Sequence, residues 1–285
     1  VPDEDVSARA LSTERARWDA VAAGWRHWWP TFERAAQVVS DHLVEAADVR
    51  DGDRVLDVAT GIGEPAVTAA RRVGPAGRVV ATDLSPRMLA IARERATALG
   101  LPNILFHETD GESLAVGESE FAAALCRWGL MLFGDCERTA ERVHQLLAPG
   151  GRFAAAVWST PERVPFISLG TTTAARVLGL TAAPDGGPGP FRLADRRRLQ
   201  QVFASVDFRD IRVEAVPVVF AWTSAEAYVA FLHDASGALA ALRESHPPER
   251  LRALGDALLD AGRQYAAADG TVTMENEALC IVGRK

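Results

Sequence analysis

Arg54-Val55-Leu56-Asp57-Val58-Ala59-Thr60-Gly61-Ile62-Gly63-Glu64-Pro65 sets the architecture of this chain. Val55, Leu56 and Val58 read as a buried strand. Two glycines then turn the backbone, and a helix begins at Pro65. Glycines at the carboxyl end of a strand let a ligand approach the main chain, and the following helix offers unpaired N–H groups. Proline fits the first helical turn, where a missing N–H costs nothing. The carboxylate of Asp57, four residues before Gly61, sits where the strand ends and points a negative charge toward the crevice. A cation suits that position better than a diphosphate.

Outward from this stretch, strands and helices alternate with short connections, which predicts a parallel sheet with helices on both faces. Strands are expected at Arg54–Ala59, Arg78–Thr82, Ile104–Thr109, Phe121–Leu125 and Arg152–Trp158. The first is followed by a helix from Pro65 to Val73. Ser85 caps a second helix with Pro86 at its first position, and Met88, Ile91, Ala92, Ala96 and Leu99 form its apolar stripe. A third helix runs from Cys136 to Leu147 and is broken by Pro149-Gly150-Gly151. Beyond Trp158 the rhythm loosens. Two helical segments in 160–205 flank a Gly/Pro-rich loop at 184–190, Ile211–Trp222 is a strand, and 224–266 is helical. The last strand, Thr271–Val282, is expected to be antiparallel, at or near the sheet edge. The first 50 residues read as helix, with four of the seven tryptophans between residues 18 and 29.

Gly61-Ile62-Gly63-Glu64-Pro65-Ala66 also matches the dinucleotide fingerprint G-x-G-x-x-G/A, and Asp83 lies twenty residues beyond Gly63. The glycines alone therefore leave an NAD-dependent oxidoreductase open, although an obvious tyrosine/lysine pair is lacking and the chain has only Tyr228 and Tyr265. The pattern Asp57-x-Ala59-x-Gly61-x-Gly63 resembles motif I of class I S-adenosyl-L-methionine (SAM) methyltransferases, with Ala59 where that family commonly has its first glycine. Ala59 and the segment Leu146-Leu147-Ala148-Pro149-Gly150-Gly151-Arg152 are similar to the ubiquinone/menaquinone-biosynthesis type and its small-molecule relatives. The resemblance covers residues 15–160 well and the remainder loosely. It implies an α/β fold: a Rossmann-like, doubly wound, mostly parallel seven-stranded sheet with an N-terminal helical lid and a helical cap inserted late in the chain. The expected division is 1–50 as lid, 51–160 as SAM-binding core and 161–285 as cap helices and final strands. The implied activity is methyl transfer from SAM to a small, apolar or aromatic molecule by in-line displacement, with S-adenosyl-L-homocysteine as product.

On this resemblance, Asp57 faces the cationic methionine end of the cofactor, beside Ala59, Thr60, Gly61 and Gly63. Asp83 accepts from the ribose hydroxyls, Leu84 and Met88 flank the adenine, and Asp110-Gly111 meets its amino group. Cys126-Arg127-Trp128 lies where substrate and methyl meet, with Cys126 next to the cofactor. Trp18, Val21, Ala22, Trp25, Trp29 and Phe32 fall at helical spacing, so they pack on the sheet or, at Trp25 in particular, cover the site as a lid. His27, His233 and Arg127 are the candidates to act on the substrate. Phe166, Leu169, Phe191, Phe220, Trp222, Tyr228 and Phe231 either line an acceptor pocket or fill the cap's own core. The lack of a clear general base keeps a second reading open, a SAM-binding enzyme catalysing a non-methylating reaction such as cyclisation.

Composition agrees with an ordinary globular protein: 285 residues, 48% hydrophobic and 24% charged. The net charge of −7 and the absence of a dense Lys/Arg tract argue against nucleic acid as a partner. Cys126, Cys136 and Cys280 have neither a paired framework nor metal-ligand spacing, so a cytoplasmic location and no metal are expected. No apolar run reaches a membrane span, and the polar N-terminus does not read as a signal peptide. Apolar stripes on the cap helices make a homodimer an expectation.

Overall fold

A computed structural model describes residues 4–117, 119–180 and 187–285. The chain begins with one 43-residue helix, α1 (Glu4–Ala46), which passes through Pro30. The nucleotide-fold half follows as β1 (Arg54–Val58), α2 (Ala66–Val73), β2 (Arg78–Asp83), α3 (Pro86–Ala98), β3 (Ile104–Glu108), β4 (Phe121–Arg127), α4 (Cys136–Leu146) and β5 (Leu147–Trp158). Then come α5 (Pro165–Leu178), α6 (Arg196–Ala204), β6 (Arg209–Trp222), α7 (Ala225–Ala235), α8 (Gly237–Ser245), α9 (Pro248–Arg263) and β7 (Val272–Arg284).

The seven strands make one sheet in the order β3-β2-β1-β4-β5-β7-β6. The first five are parallel, and β7 enters antiparallel between β5 and β6. The final strand is thus next to the edge and β6 is the edge itself. Strand order reverses between β1 and β4, because the chain leaves β1 toward β2 and β3 and returns on the other side. Crevices at such switch points, beyond the carboxyl ends of the strands, are where open α/β sheets bind ligands.

Several boundaries differ from the sequence reading for local reasons. Pro65 is the N-cap of α2 rather than its first helical residue. Leu99 is the C-cap of α3 and is 44% exposed, so it leaves the stripe that Met88, Ile91, Ala92 and Ala96 do bury. Strand β5 starts at Leu147, opposite Phe121, and its register jumps before Arg152 pairs with Ala123. Pro149-Gly150-Gly151 therefore forms an irregularity inside the strand rather than a gap before it. Tyr265 falls beyond α9 and is exposed, whereas Leu254 and Leu258 are buried. The expected loop at 184–190 lies partly outside the described residues, at 184–186.

Helix α1 is the largest departure from an appended lid. Its second half carries Phe32, Ala36, Val39 and Leu43 into the same core as the sheet. Its first half packs Val21 and Ala22 against Ile62, Met88 and Ile91. Polar ties reinforce this: Ser85 donates to Asp19 at 2.5 Å, and Arg26 pairs with Glu94 of α3. No helix among the described residues is long and apolar enough to cross a membrane.

Candidate functional site

A cavity of about 440 Å³ opens at the switch point, a size typical of small-molecule sites. The β1–α2 loop contributes Ala59 to Ile62 and Glu64, and the ends of β2 and β3 contribute Asp83, Leu84, Asp110 and Gly111. Met88 comes from α3, while Trp18, Trp25, Trp29 and Phe32 come from α1. Arg127, Trp128 and Phe133 close the side below β4.

The loop owes its shape to three left-handed residues: Ala59 at φ 57°, Gly61 at φ 56° and Gly63 at φ 109°. Nothing lies within 4 Å of where a Cβ on Gly61 would stand, so its main chain faces open space. At Gly63 a Cβ would stand in ordinary contact with Ala92 at 3.4 Å, so its φ rather than packing calls for glycine, and it does not line the cavity. Ala59 has its own complement across the site. A Cβ added to Gly129 would stand 2.6 Å from the Ala59 methyl, so Gly129 supplies the room that the alanine takes.

Asp83 binds the two neighbouring loops together. Gly61 N donates to its Oδ2 at 2.8 Å and Ser85 N to its Oδ1 at 2.9 Å. Burial pushes its carboxyl up to about 6, against the pull of these backbone amides. Each oxygen keeps a second lone pair for a ligand hydroxyl. Asp110 is more committed, accepting from Glu112 N and Ser113 N on Oδ1 and from Ser113 Oγ on Oδ2. Beside it, a Cβ on Gly111 would meet the Phe133 ring at 2.4 Å, so the glycine lets that ring lie against the cavity.

Asp57 is placed differently from the sequence expectation. Its side chain is fully buried and does not line the cavity. Oδ2 accepts from the Ala66 amide at 2.9 Å, the opening turn of α2, and Oδ1 has no hydrogen-bond partner among the described residues. The physical consequence is sharper than the one expected. The helix N-terminus that would receive a pyrophosphate already carries the protein's own carboxyl group. Burial pushes Asp57 up to about 8. The fold therefore holds a proton that the unfolded chain has released, and this group's contribution to stability falls as pH rises from about 4 to about 8. Asp57→Asn, which keeps the acceptor for Ala66, is expected to flatten that part of the melting-temperature profile. A variant profile as steep as the parent's would remove Asp57 as the cause.

The other candidates separate clearly. Arg127 lines the cavity, but its guanidinium forks onto Glu33 at 3.0 Å to each oxygen and also reaches Ser40 Oγ at 2.8 Å. It holds α1 onto β4 in the middle of the sheet rather than bracing an edge. Cys126 is sealed behind Gly129, outside the cavity wall, and burial pushes its thiol up to about 12, so no thiolate is available. His27 is exposed on α1 beside Trp28, and neither His27 nor His233 reaches the cavity. Of the two arrangements open to the cap aromatics, an acceptor pocket or a core of their own, the structure shows the core. Phe166 stacks on Phe220 at 4.3 Å and on Trp222 at 5.8 Å, while Phe32 joins Phe220 at 5.1 Å. Sequence reasoning placed Trp128 at the site with Cys126 and Arg127, and passed over Glu64 and Phe133 as wall residues. Glu64 had a signal, a carboxylate inserted between a turn glycine and a helix-starting proline.

Five carboxylates (Glu14, Glu64, Asp83, Asp110, Glu112) and one guanidinium, Arg127, stand among the described lining residues. That guanidinium is already neutralised by Glu33. A ligand carrying phosphates would bring more negative charge into this wall, whereas a cationic nucleoside would not.

Sheet order, switch-point cavity and capped helix thus define an α/β protein with a ligand-sized cavity, whose adjoining helix N-terminus is taken by the protein's own carboxyl group. Residues 55–151 match the family of methyltransferase domains. The ubiquinone/menaquinone biosynthesis C-methyltransferase UbiE of Pseudomonas entomophila is 31% identical over 144 residues, 50% of this chain and 52% of that protein. The chain spans about half the length of the curated relatives it matches. The [4+2]-cyclase SpnF superimposes with a TM-score of 0.54 at 20% identity, over 90% of this chain and 82% of that one. Phosphoethanolamine N-methyltransferase 2 of Haemonchus contortus, solved with SAM, gives 0.55 at 17% identity, over 90% and 56%. These two share the fold. What the comparisons identify in this chain is a methyltransferase domain at residues 55–151.

Proposed function

We propose that this chain binds SAM in the switch-point cavity and transfers its methyl group to a small, apolar or aromatic acceptor. The observation that carries the reading is the Asp57 carboxyl on the Ala66 amide, which occupies the phosphate position of a dinucleotide site. The residues present fit the cofactor. Asp83 has spare lone pairs for two ribose hydroxyls, the Gly61 main chain is open to a ligand, and Leu84, Met88 and Phe133 offer apolar faces for a base. Asp110 remains the acceptor nearest that base, although its own turn already uses both oxygens. Trp25, Trp29, Phe32 and Trp128 supply aromatic surface suited to a sulfonium and to a planar acceptor.

When bound, the cofactor supplies an electrophilic methyl group. The chain's contribution is to orient the acceptor and keep water out, since no histidine lines the cavity among the described residues. Affinity in the micromolar range, roughly −8 kcal/mol, is expected for SAM by calorimetry, with no measurable NADH binding. Tight NADH binding without SAM binding would overturn the proposal.

The same lack of a lining histidine favours one second reading, a cyclisation in which the cofactor is retained, as the name of the fold neighbour SpnF suggests. Labelled SAM separates the two: methylation moves the label to product, whereas cyclisation leaves it on the cofactor. Unpaired, buried Cys126, Cys136 and Cys280 support a cytoplasmic location. The acidic balance supports a small-molecule partner rather than nucleic acid. A homodimer remains part of this proposal, resting on the apolar stripes of the cap helices.

Trp25 tests the enclosure. Its ring meets Phe32 at 4.8 Å and Phe231 at 6.2 Å, edge to face, while also lining the cavity. Trp25→Ala is expected to raise the cofactor dissociation rate about tenfold or more, an effect of lost cover and water exclusion. Stopped-flow release at the parent's rate, together with a large fall in melting temperature, would reduce Trp25 to packing.

A further inference from the structure

We propose that Glu64, rather than Asp57, is the carboxylate that receives the ammonium group at the amino-acid end of the cofactor. The inference rests on the cofactor reading above and assigns one residue within it.

Of the acids in the cavity wall, Glu64 alone combines near-complete burial with an oxygen left without a hydrogen bond. Its side chain is 2% exposed. Oε2 accepts from Thr68 N at 3.2 Å and from Thr68 Oγ1 at 2.7 Å. Oε1 has Arg95 Nη2 at 4.0 Å, beyond a hydrogen bond, and no hydrogen bond from any described residue. Arg95 meets it only as a long ion pair, and neither nearby guanidinium donates a hydrogen bond to it. Arg127 is committed to Glu33 and Ser40, and Arg95 donates to the Ile62 carbonyl and lies over the Trp29 ring at 3.7 Å. A buried carboxylate whose one ion pair is this long has room for a closer, hydrogen-bonding cation, because a buried charged acceptor without a hydrogen bond is costly. Burial accordingly pushes its carboxyl upward, which a bound ammonium would reverse.

The remaining wall acids are otherwise engaged. Asp83 accepts from two loop amides, Asp110 caps its own turn, Glu14 pairs with Arg17, and Glu112 accepts from Asp135 N. Asp83 and Asp110 follow β2 and β3, the ribose and base side. Glu64 stands just before α2 in the loop that leaves β1, and β1 lies beside β4, which Arg127 ends. An elongated nucleoside lying from β3 toward β4 would bring its far end to Glu64.

Calorimetry with two ligands reads this directly. S-adenosyl-L-homocysteine carries the amino-acid end, and 5′-methylthioadenosine shares its adenosine and thioether but lacks that end. Glu64→Gln, which keeps the Thr68 contacts, is expected to weaken S-adenosyl-L-homocysteine about 10- to 100-fold, with 5′-methylthioadenosine unchanged. Glu64→Asp should recover part of the loss, and Asp57→Asn should leave the ratio of the two affinities as in the parent. Unchanged homocysteine-ligand affinity, or equal loss of both ligands, overturns the assignment. So does a change of ratio in Asp57→Asn without one in Glu64→Gln. A parent chain that binds neither ligand overturns the cofactor reading itself, and the assignment with it.

Discussion

The Asp83→Ala variant is expected to bind S-adenosyl-L-homocysteine about a hundredfold more weakly than the parent, roughly 3 kcal/mol. Two losses add. The carboxylate that would accept both ribose hydroxyls disappears, and the amides of Gly61 and Ser85 lose the acceptor that aligns the two loops. Asp83→Asn separates them, since it keeps the shape and one carbonyl oxygen while one acceptor becomes a donor. About a tenfold loss is expected there, near the strength of one charge-assisted hydrogen bond. The pH dependence gives an independent check. Because burial holds Asp83 at about 6, parent affinity should decline as pH falls through that value, when the acceptor pair is protonated. The Asn variant should lack this decline. Parent-like affinity in Asp83→Ala would mean that the ribose lies elsewhere.

Why this acid could be found without coordinates, and Asp57 could not be oriented, has a local explanation. A strand that ends in an acid followed by Leu84-Ser85-Pro86 must turn into a helix there. Both the carboxylate at the crevice and the Ser85 cap, with Met88 N donating to Ser85 Oγ at 3.1 Å, follow from short-range chemistry. Asp57 also ends a strand, but the direction of its side chain depends on the left-handed turn at Ala59 and on where Ala66 comes to rest. Neither is encoded in the strand pattern. The cap aromatics left two arrangements open for a different reason. Phe166, Phe220 and Phe231 have the same periodicity whether they surround a ligand or one another, and only their mutual distances decide. The roof of the cavity came partly into view through the helical spacing of Trp18, Trp25, Trp29 and Phe32. What the spacing could not supply was the attachment of that helix to the sheet.

That attachment yields the largest effect expected on stability. Arg127→Met should destabilise the protein by about 3 to 5 kcal/mol. The Arg127 side chain is 4% exposed and that of Glu33 is 13% exposed, and they lie 94 residues apart in sequence. Removing the guanidinium strands the Glu33 carboxylate among apolar neighbours and takes a partner from Ser40 and from the Ala36 carbonyl. Breaking one side of a buried pair is costly because the other side keeps its desolvation penalty, whereas replacing both sides often costs little. The double variant Arg127→Met/Glu33→Leu should therefore recover most of the stability in denaturant unfolding. A double variant as unstable as the single one would assign the loss to packing instead of charge. The rescued protein then isolates function. With α1 held by apolar contact alone, cofactor release should be faster than in the parent if the ion pair fixes Trp25 and Trp29 over the cavity. Release at the parent's rate would mean that the remaining ties, Asp19 to Ser85 and Val21 to Met88, suffice to hold the roof.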